Sequence, residues 1–269
     1  AEEPIYINGN TQALQRVFQN IIKNALDHGG RKMEIVLYSD KENVYLNFGN
    51  WIQHPEEIEV EITKANVTLF SVSSEMIDED DKIGYISVSL FSKNTYSQFK
   101  DAVEKLEKDK MESLIIDLRG NTGGYLSTVT DMLELYVGKD KVLYKMQTNE
   151  GTTEYKSKGN SSRDYKVVIL IDNGSASASE IMSAAMKENY GATLVGKTTY
   201  GKGTVQTTKK LSDGTMIKYT IEKWLTPAGN NIDGEGIKPD YDIDLAEEYN
   251  NNPSRDNDDQ LQKALELLK

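Results

Sequence analysis

Along Lys166-Val167-Val168-Ile169-Leu170-Ile171 the chain is apolar almost without a break, the pattern of a strand buried on both faces. Residues 83–89 and 114–118 read the same way, and 141–147, 193–195, 205–211 and 216–220 are further strand candidates. Between them the apolar period lengthens, so that 95–108, 126–136 and 178–187 predict helices. Strands separated by helices predict an α/β core whose sheet is covered on its faces. Asn250-Asn251-Asn252-Pro253-Ser254-Arg255 then reads as a polar linker. Beyond it, 258–269 forms a short amphipathic helix with Leu261, Ala264, Leu265 and Leu268 on one side, either docked or an oligomer contact.

The first sixty residues have a different texture. Val17, Ile21 and Asn24 share one helical stripe, with Phe18, Ile22, Ala25 and Leu26 beside it and Asn8-Gly9-Asn10-Thr11 as capping and turn residues. Residues 33–38 and 44–48 alternate as a hairpin joined by Ser39-Asp40-Lys41-Glu42-Asn43, and Glu57-Ile58-Glu59-Val60-Glu61-Ile62-Thr63 alternates as one more antiparallel strand.

Two short motifs carry the chemistry. Asn173-Gly174-Ser175-Ala176-Ser177-Ala178-Ser179-Glu180 lies between the apolar run and the helix at 178–187, which sets its serines at a strand-to-helix turn. A helix start offers free N–H groups to a developing oxyanion, and small neighbours admit a substrate backbone. Tyr200-Gly201-Lys202-Gly203-Thr204-Val205-Gln206 supplies a lysine among glycines and apolar residues. Burial there would disfavour the ammonium and make the amine a base for the serine. Each motif also has a plainer reading: serines and alanines at a helix start cap and pack, Gly-Lys-Gly is a solvated turn, Gly123-Gly124 is a loop, and Asp117 and Arg119 form a structural ion pair. Glu180 is expected to offset the dipole at the helix N-terminus.

Composition narrows the alternatives. The 269 residues suffice for one or two domains, and 38% hydrophobic residues for a sizeable core. A net charge of -12 argues against nucleic acid and anionic membrane surfaces as partners. No apolar run is long enough for a membrane span, and Ala1-Glu2-Glu3-Pro4 is not a signal peptide. Cysteine is absent, which removes thiol catalysis, disulfides and Cys-ligated zinc, and the two histidines, His28 and His54, lie far from both motifs.

Taken together, five strings resemble the core of the C-terminal processing peptidases, the tail-specific serine/lysine proteases: Lys82-Ile83-Gly84-Tyr85-Ile86, Leu114 through Arg119-Gly120-Asn121-Thr122-Gly123-Gly124-Tyr125-Leu126, the Ser177 motif, the Lys202 motif, and Leu225-Thr226-Pro227 followed by Gly234-Glu235-Gly236-Ile237-Lys238-Pro239-Asp240. The resemblance is tightest over 82–248 and extends loosely over 57–269. It implies a Clp-protease/crotonase-like fold and a serine endopeptidase acting near polypeptide C-termini. Ser177 would be the nucleophile, Lys202 the general base and Gln206 the residue that orients the lysine. Ala178 and Gly123 would form the oxyanion hole, with Gly124 as second choice, and Gly124 and Tyr125 would line the substrate. The same resemblance implies polypeptide substrates and an extracytoplasmic or cell-envelope location; no cofactor and no metal are expected. The rival readings are a binding or scaffold protein that keeps the fold without an assembled dyad, and a nucleotide-binding module.

Residues 4–60 resemble the start of the ATP-binding domain of sensor histidine kinases, with Asn20 and Asn24 matching its N-box. The adenine-binding Asp-x-Gly-x-Gly box, the ATP lid and the later Gly-rich box are missing from this stretch. The strand at 57–63 resembles the last strand of a PDZ domain. These likenesses divide the chain at 1–56 (kinase-like helix and hairpin), 57–81 (PDZ-remnant strand and linker), 82–248 (peptidase core) and 249–269 (linker and helix).

Overall fold

A computed structural model describes residues 33–39, 43–50, 58–63, 70–160, 163–210, 215–247, 249 and 252–269. The chain divides into two compact units, Ala1–Phe70 and Ser71–Lys269. The expected helix carrying Asn20 and Asn24 lies outside the described residues.

In the first unit, β1 (Met33–Ser39), β2 (Asn43–Asn50) and β3 (Ile58–Thr63) form an antiparallel sheet in the order β1-β2-β3. Met33 stands opposite Asn50 and Ser39 opposite Val44, so the hairpin is present. The strand likened to a PDZ remnant pairs with β2, Phe48 opposite Ile58, and so completes this sheet. The boundary expected at 56/57 therefore falls at 70/71 instead.

The second unit is built on a six-stranded sheet. It contains β4 (Val72–Asp78), β5 (Ile83–Val88), β6 (Ser113–Asp117), β9 (Lys166–Ile171), β10 (Thr193–Gly196) and β13 (Tyr241–Asp242), in the spatial order β13-β10-β9-β6-β5-β4. All neighbours run parallel except β4, which pairs antiparallel with β5, Val72 opposite Val88. Residues expected to be a linker thus supply an edge strand. A second, antiparallel sheet joins β7 (Val142–Thr148), β8 (Gly151–Lys156), β11 (Thr204–Lys210) and β12 (Met216–Leu225) in the order β11-β12-β7-β8.

The apolar runs are explained by what covers each face. Leu114 and Ile116 of β6, with Val167, Ile169 and Ile171 of β9, point into the larger core, which they share with α1 (Thr95–Lys108), α2 (Leu126–Leu133) and α3 (Ala178–Ala185). Ile115, Val168 and Leu170 point the other way. There they meet Leu261, Ala264 and Leu268 of α4 (Asp259–Leu268) in a smaller core. Successive residues of a strand face opposite sides, so a strand with helices on both faces has no polar side to show. The C-terminal helix is therefore docked on the sheet. At its far end α3 passes into a π turn, Met186–Tyr190, closed by Gly191 at φ +85°.

Candidate active site

Both sequence motifs leave the carboxyl ends of neighbouring parallel strands. Ser177 follows β9 and Lys202 follows β10, while the Gly120–Tyr125 loop follows β6 on the other side of β9. Crevices beyond the strand carboxyl ends are the usual ligand sites of such sheets. Ser177 itself has φ +57° and ψ −111°, a conformation that a residue with a Cβ adopts only under constraint. The constraint is local. Ser175 Oγ donates to Leu118 O at 2.8 Å, Ala176 N donates to Asn121 O at 3.0 Å, and Ser179 Oγ donates to the same carbonyl at 2.7 Å, which bends the chain sharply between strand and helix. Ser175 and Ser179 are fully buried, whereas Ser177, at the crest of this elbow, is partly exposed.

The loop after β6 comes up against that crest. A Cβ on Gly123, whose φ is +107°, would lie 2.9 Å from Ser177 Cβ and 3.1 Å from Ala178 N, so only glycine fits there. The next residue runs strand-like beside Phe91: Phe91 N donates to Gly123 O at 3.0 Å, and Tyr125 N to Phe91 O at 2.7 Å. In this parallel pattern the N–H and C=O of Gly124 face away from Phe91. Gly124 is exposed and its N–H donates no hydrogen bond among the described residues. The N–H of Gly123 differs from the expectation. It donates to Asn121 Oδ1 at 2.9 Å, and the fully buried Asn121 side chain is anchored in turn by its Nδ2 on Val88 O. The open donors at the elbow are those of Ala178, first in its helix, and Gly124.

Lys202 is drawn to the elbow through its backbone. Glu180 Oε2 accepts from Ser177 N at 2.8 Å and from Lys202 N at 2.9 Å, so the two nitrogens lie within the length of two hydrogen bonds of each other. Lys202 is nevertheless exposed, so the burial expected of a lysine base is not supplied by the described residues. Gln206 lies on β11 opposite Thr220, just past a break in register after Val205. Tyr125 and Tyr200 are 51% and 67% exposed on the two loops that flank the serine.

Asp117 and Arg119 form an ion pair at 2.6 Å, and Arg119 also reaches Asp258 Oδ2 at 2.9 Å, ahead of α4. Burial works against the guanidinium charge, but its bonds to Asp117 and Asp258 outweigh that and raise its pKa. Burial, and then the Asp117 charge that accepts its hydroxyl, push Tyr85 well up. The structural reading of this pair is the better one, since it joins the loop after β6 to the C-terminal helix. Among the described residues no cluster of His, Asp and Glu is arranged to hold a metal ion.

The profile of Peptidase family S41 matches residues 82–243, more than half of the chain and all five strings. The chain belongs to this family. A probable CtpA-like serine protease of Staphylococcus haemolyticus is 39% identical over 191 residues, and one from Staphylococcus aureus strain N315 is 38% identical over 192. Each alignment covers 70% of this chain but only 38% of the relative, so the chain spans well under half the length of these proteins. Among solved structures, the photosystem II D1 C-terminal processing protease matches with a TM-score of 0.61 and 26% identity, over 77% of this chain and 56% of the other. A protein described as a putative peptidase from Parabacteroides merdae matches with a TM-score of 0.61 at 18% identity, over 74% and 64%, and supports the fold alone. The S41 match begins at residue 82, so the kinase-like reading of residues 4–60 receives no support from it.

Proposed function

We propose that the second unit is a serine peptidase core that cleaves polypeptides through an acyl-enzyme on Ser177, with Lys202 as the base. The observation that carries this is the strained elbow at Ser177, placed beside the open N–H of Ala178 and tied to the Lys202 segment. Ser177 Oγ attacks the scissile carbonyl carbon, and its proton passes to the neutral amine of Lys202. The carbonyl oxygen, now negative, is held by Ala178 N–H and by the glycine pair. Gly124 is open as the structure stands, while Gly123 serves only once Asn121 Oδ1 lets go. Collapse expels the amine, which takes the proton from Lys202 and leaves an ester on Ser177. Water then cleaves the ester with the same lysine as base. Because Lys202 is exposed in the free chain, a bound peptide is what covers it and excludes water.

The outward N–H and C=O of Gly124 suit a peptide added as a strand, with Tyr125 beside it, which makes binding tolerant of sequence. The recess formed by Leu143, Ile181, Ala184, Leu225 and Ile232 next to Glu180 has room for little more than one water molecule, so a preference for small or apolar side chains rests on the family likeness. Action near C-termini, an orienting role for Gln206 and a place outside the cytoplasm belong to the same reading, supported by the family likeness. No described helix is long and apolar enough to cross a membrane. The exposure of Lys202 favours one second reading, a binding protein with an unassembled dyad.

A fluorophosphonate probe and a casein digest separate the two readings. The chain is expected to label at one serine and to cleave, and Ser177→Ala and Lys202→Ala each to lose about 1,000-fold or more of the hydrolysis, because nucleophile and base act as a unit. Labelling that survives Ser177→Ala overturns the assignment. No labelling of a folded wild-type chain favours the binding protein.

A further inference from the structure

We propose that Glu180 is a positioning residue that assembles the dyad by fixing the Lys202 segment against the Ser177 elbow, a step beyond its expected part at the helix end. The inference rests on the reading of Ser177 as nucleophile and Lys202 as base. A glutamate three residues into a helix ordinarily accepts one N–H from the N-cap and faces solvent. Glu180 is 0% exposed. Oε2 takes the N–H groups of Ser177 and Lys202, and Oε1 takes Gly201 N at 2.7 Å and the Thr199 hydroxyl at 2.6 Å. All the lone-pair positions of the carboxylate are thereby filled, three of them by donors from the lysine loop.

The clamp reaches further. Thr199 Oγ1, while donating to Glu180, accepts Ile237 N at 2.7 Å, and Thr199 N donates to Ile237 O at 3.2 Å. The Gly234–Asp240 string, to which no chemistry has been assigned, is therefore the outer wall that holds the lysine loop in place. A Cβ on Gly236 would lie 2.4 Å from Thr199 O, and one on Gly201 3.0 Å from Gly236 N, so these glycines are what let the two loops touch. Glutamine cannot replace the glutamate here. Its NH₂ would turn a donor toward at least one backbone N–H whichever way the amide lay, Gly201 N on one side and Ser177 N and Lys202 N on the other.

The test uses the full chain, a fluorogenic peptide and a fluorophosphonate probe. Glu180→Gln is expected to lower kcat about 100-fold with KM within about threefold, since an interaction used only in the transition state is lost while peptide contacts remain. In a Lys202→Ala background the same substitution should lower the residual labelling rate by less than about threefold, because the carboxylate then has no base to place and keeps only its hold on Ser177 N. A kcat within threefold of wild type, or an equal fall in both backgrounds, overturns the proposal. If Glu180→Gln does not fold, Thr199→Val and Thr199→Ser are compared instead. A fall of about tenfold in kcat for Val with rescue by Ser supports the clamp, and wild-type rates in both overturn it. Labelling that persists in Ser177→Ala would instead bring down the underlying assignment, a result distinct from any of these.

Discussion

Ser175, Ser177 and Ser179 alternate with alanines, yet their surroundings differ in kind. Ser175 Oγ donates to Leu118 O and accepts from Asp172 N at 3.0 Å, and Ser179 Oγ donates to Asn121 O. Both sit where no water reaches, so their hydroxyls hold loop to strand. Ser175→Ala and Ser179→Ala should each cost about 1–3 kcal/mol in denaturant melts, the penalty of leaving a buried carbonyl short of a donor. Ser177→Ala should cost no more than about 1 kcal/mol, the loss of a partly exposed helix N-cap with no core to disturb. Ser177→Gly should be more stable than Ser177→Ala by about 1 kcal/mol, since glycine relieves the φ of +57°. The division of labour is refuted if Ser177→Ala proves the most destabilising of the three alanine variants. Spacing alone gives no hint of which serine is buried; the family likeness singled out the middle one, and the bonds give that choice a physical basis.

The elements most legible in the sequence are those whose burial is two-sided or one-sided without exception. The apolar run of β9 and the helical period of α1 came through with their ends intact. Less legible were β4, where Val72-Ser73-Ser74-Glu75-Met76-Ile77-Asp78 is an edge strand with no clean alternation, and β8, whose residues are all exposed and so carry no period. For the site, the serine and lysine motifs were readable, but Asn121 and the full reach of Glu180 were not. Each works by bonding backbone groups that are distant in sequence, which residue type does not encode. At this scale Asp258 deserves a test, because it both caps α4, accepting Leu261 N at 3.0 Å, and pairs with Arg119. Asp258→Ala should destabilise the second unit by about 2–4 kcal/mol, more than a cap alone, since Arg119 keeps Asp117 but loses a buried partner. A loss under about 1 kcal/mol in a urea melt would mean that α4 is held by its apolar face alone.

Across the whole molecule, acidic residues outnumber basic ones by 43 to 31, and within the second unit a subset of the tyrosine hydroxyls is buried while Tyr125 and Tyr200 are exposed. Tyr136 packs edge-on against Phe99, Tyr165 and Tyr190, and the Glu107–Arg163 pair borders this cluster. Burial, and next the neighbouring charges, raise the hydroxyls of Tyr85, Tyr136 and Tyr165 well above the ordinary tyrosine value, and burial and then Asp164 bring Tyr190 to about 12. A raised folded-state pKa means that the native chain keeps protons which the unfolded chain sheds near pH 10. The stabilisation is therefore complete below about pH 10 and disappears as pH climbs through the folded values. The melting temperature should stay level from neutral pH to about pH 10 and fall steeply beyond it, as the unfolded state releases tyrosine protons that the native state still holds. Tyrosinate absorbance should include a component from Tyr85, Tyr136, Tyr165 and Tyr190 that appears only with loss of the near-ultraviolet dichroism. If all of them ionise together near pH 10 with the dichroism intact, the buried cluster is wetter than its packing implies.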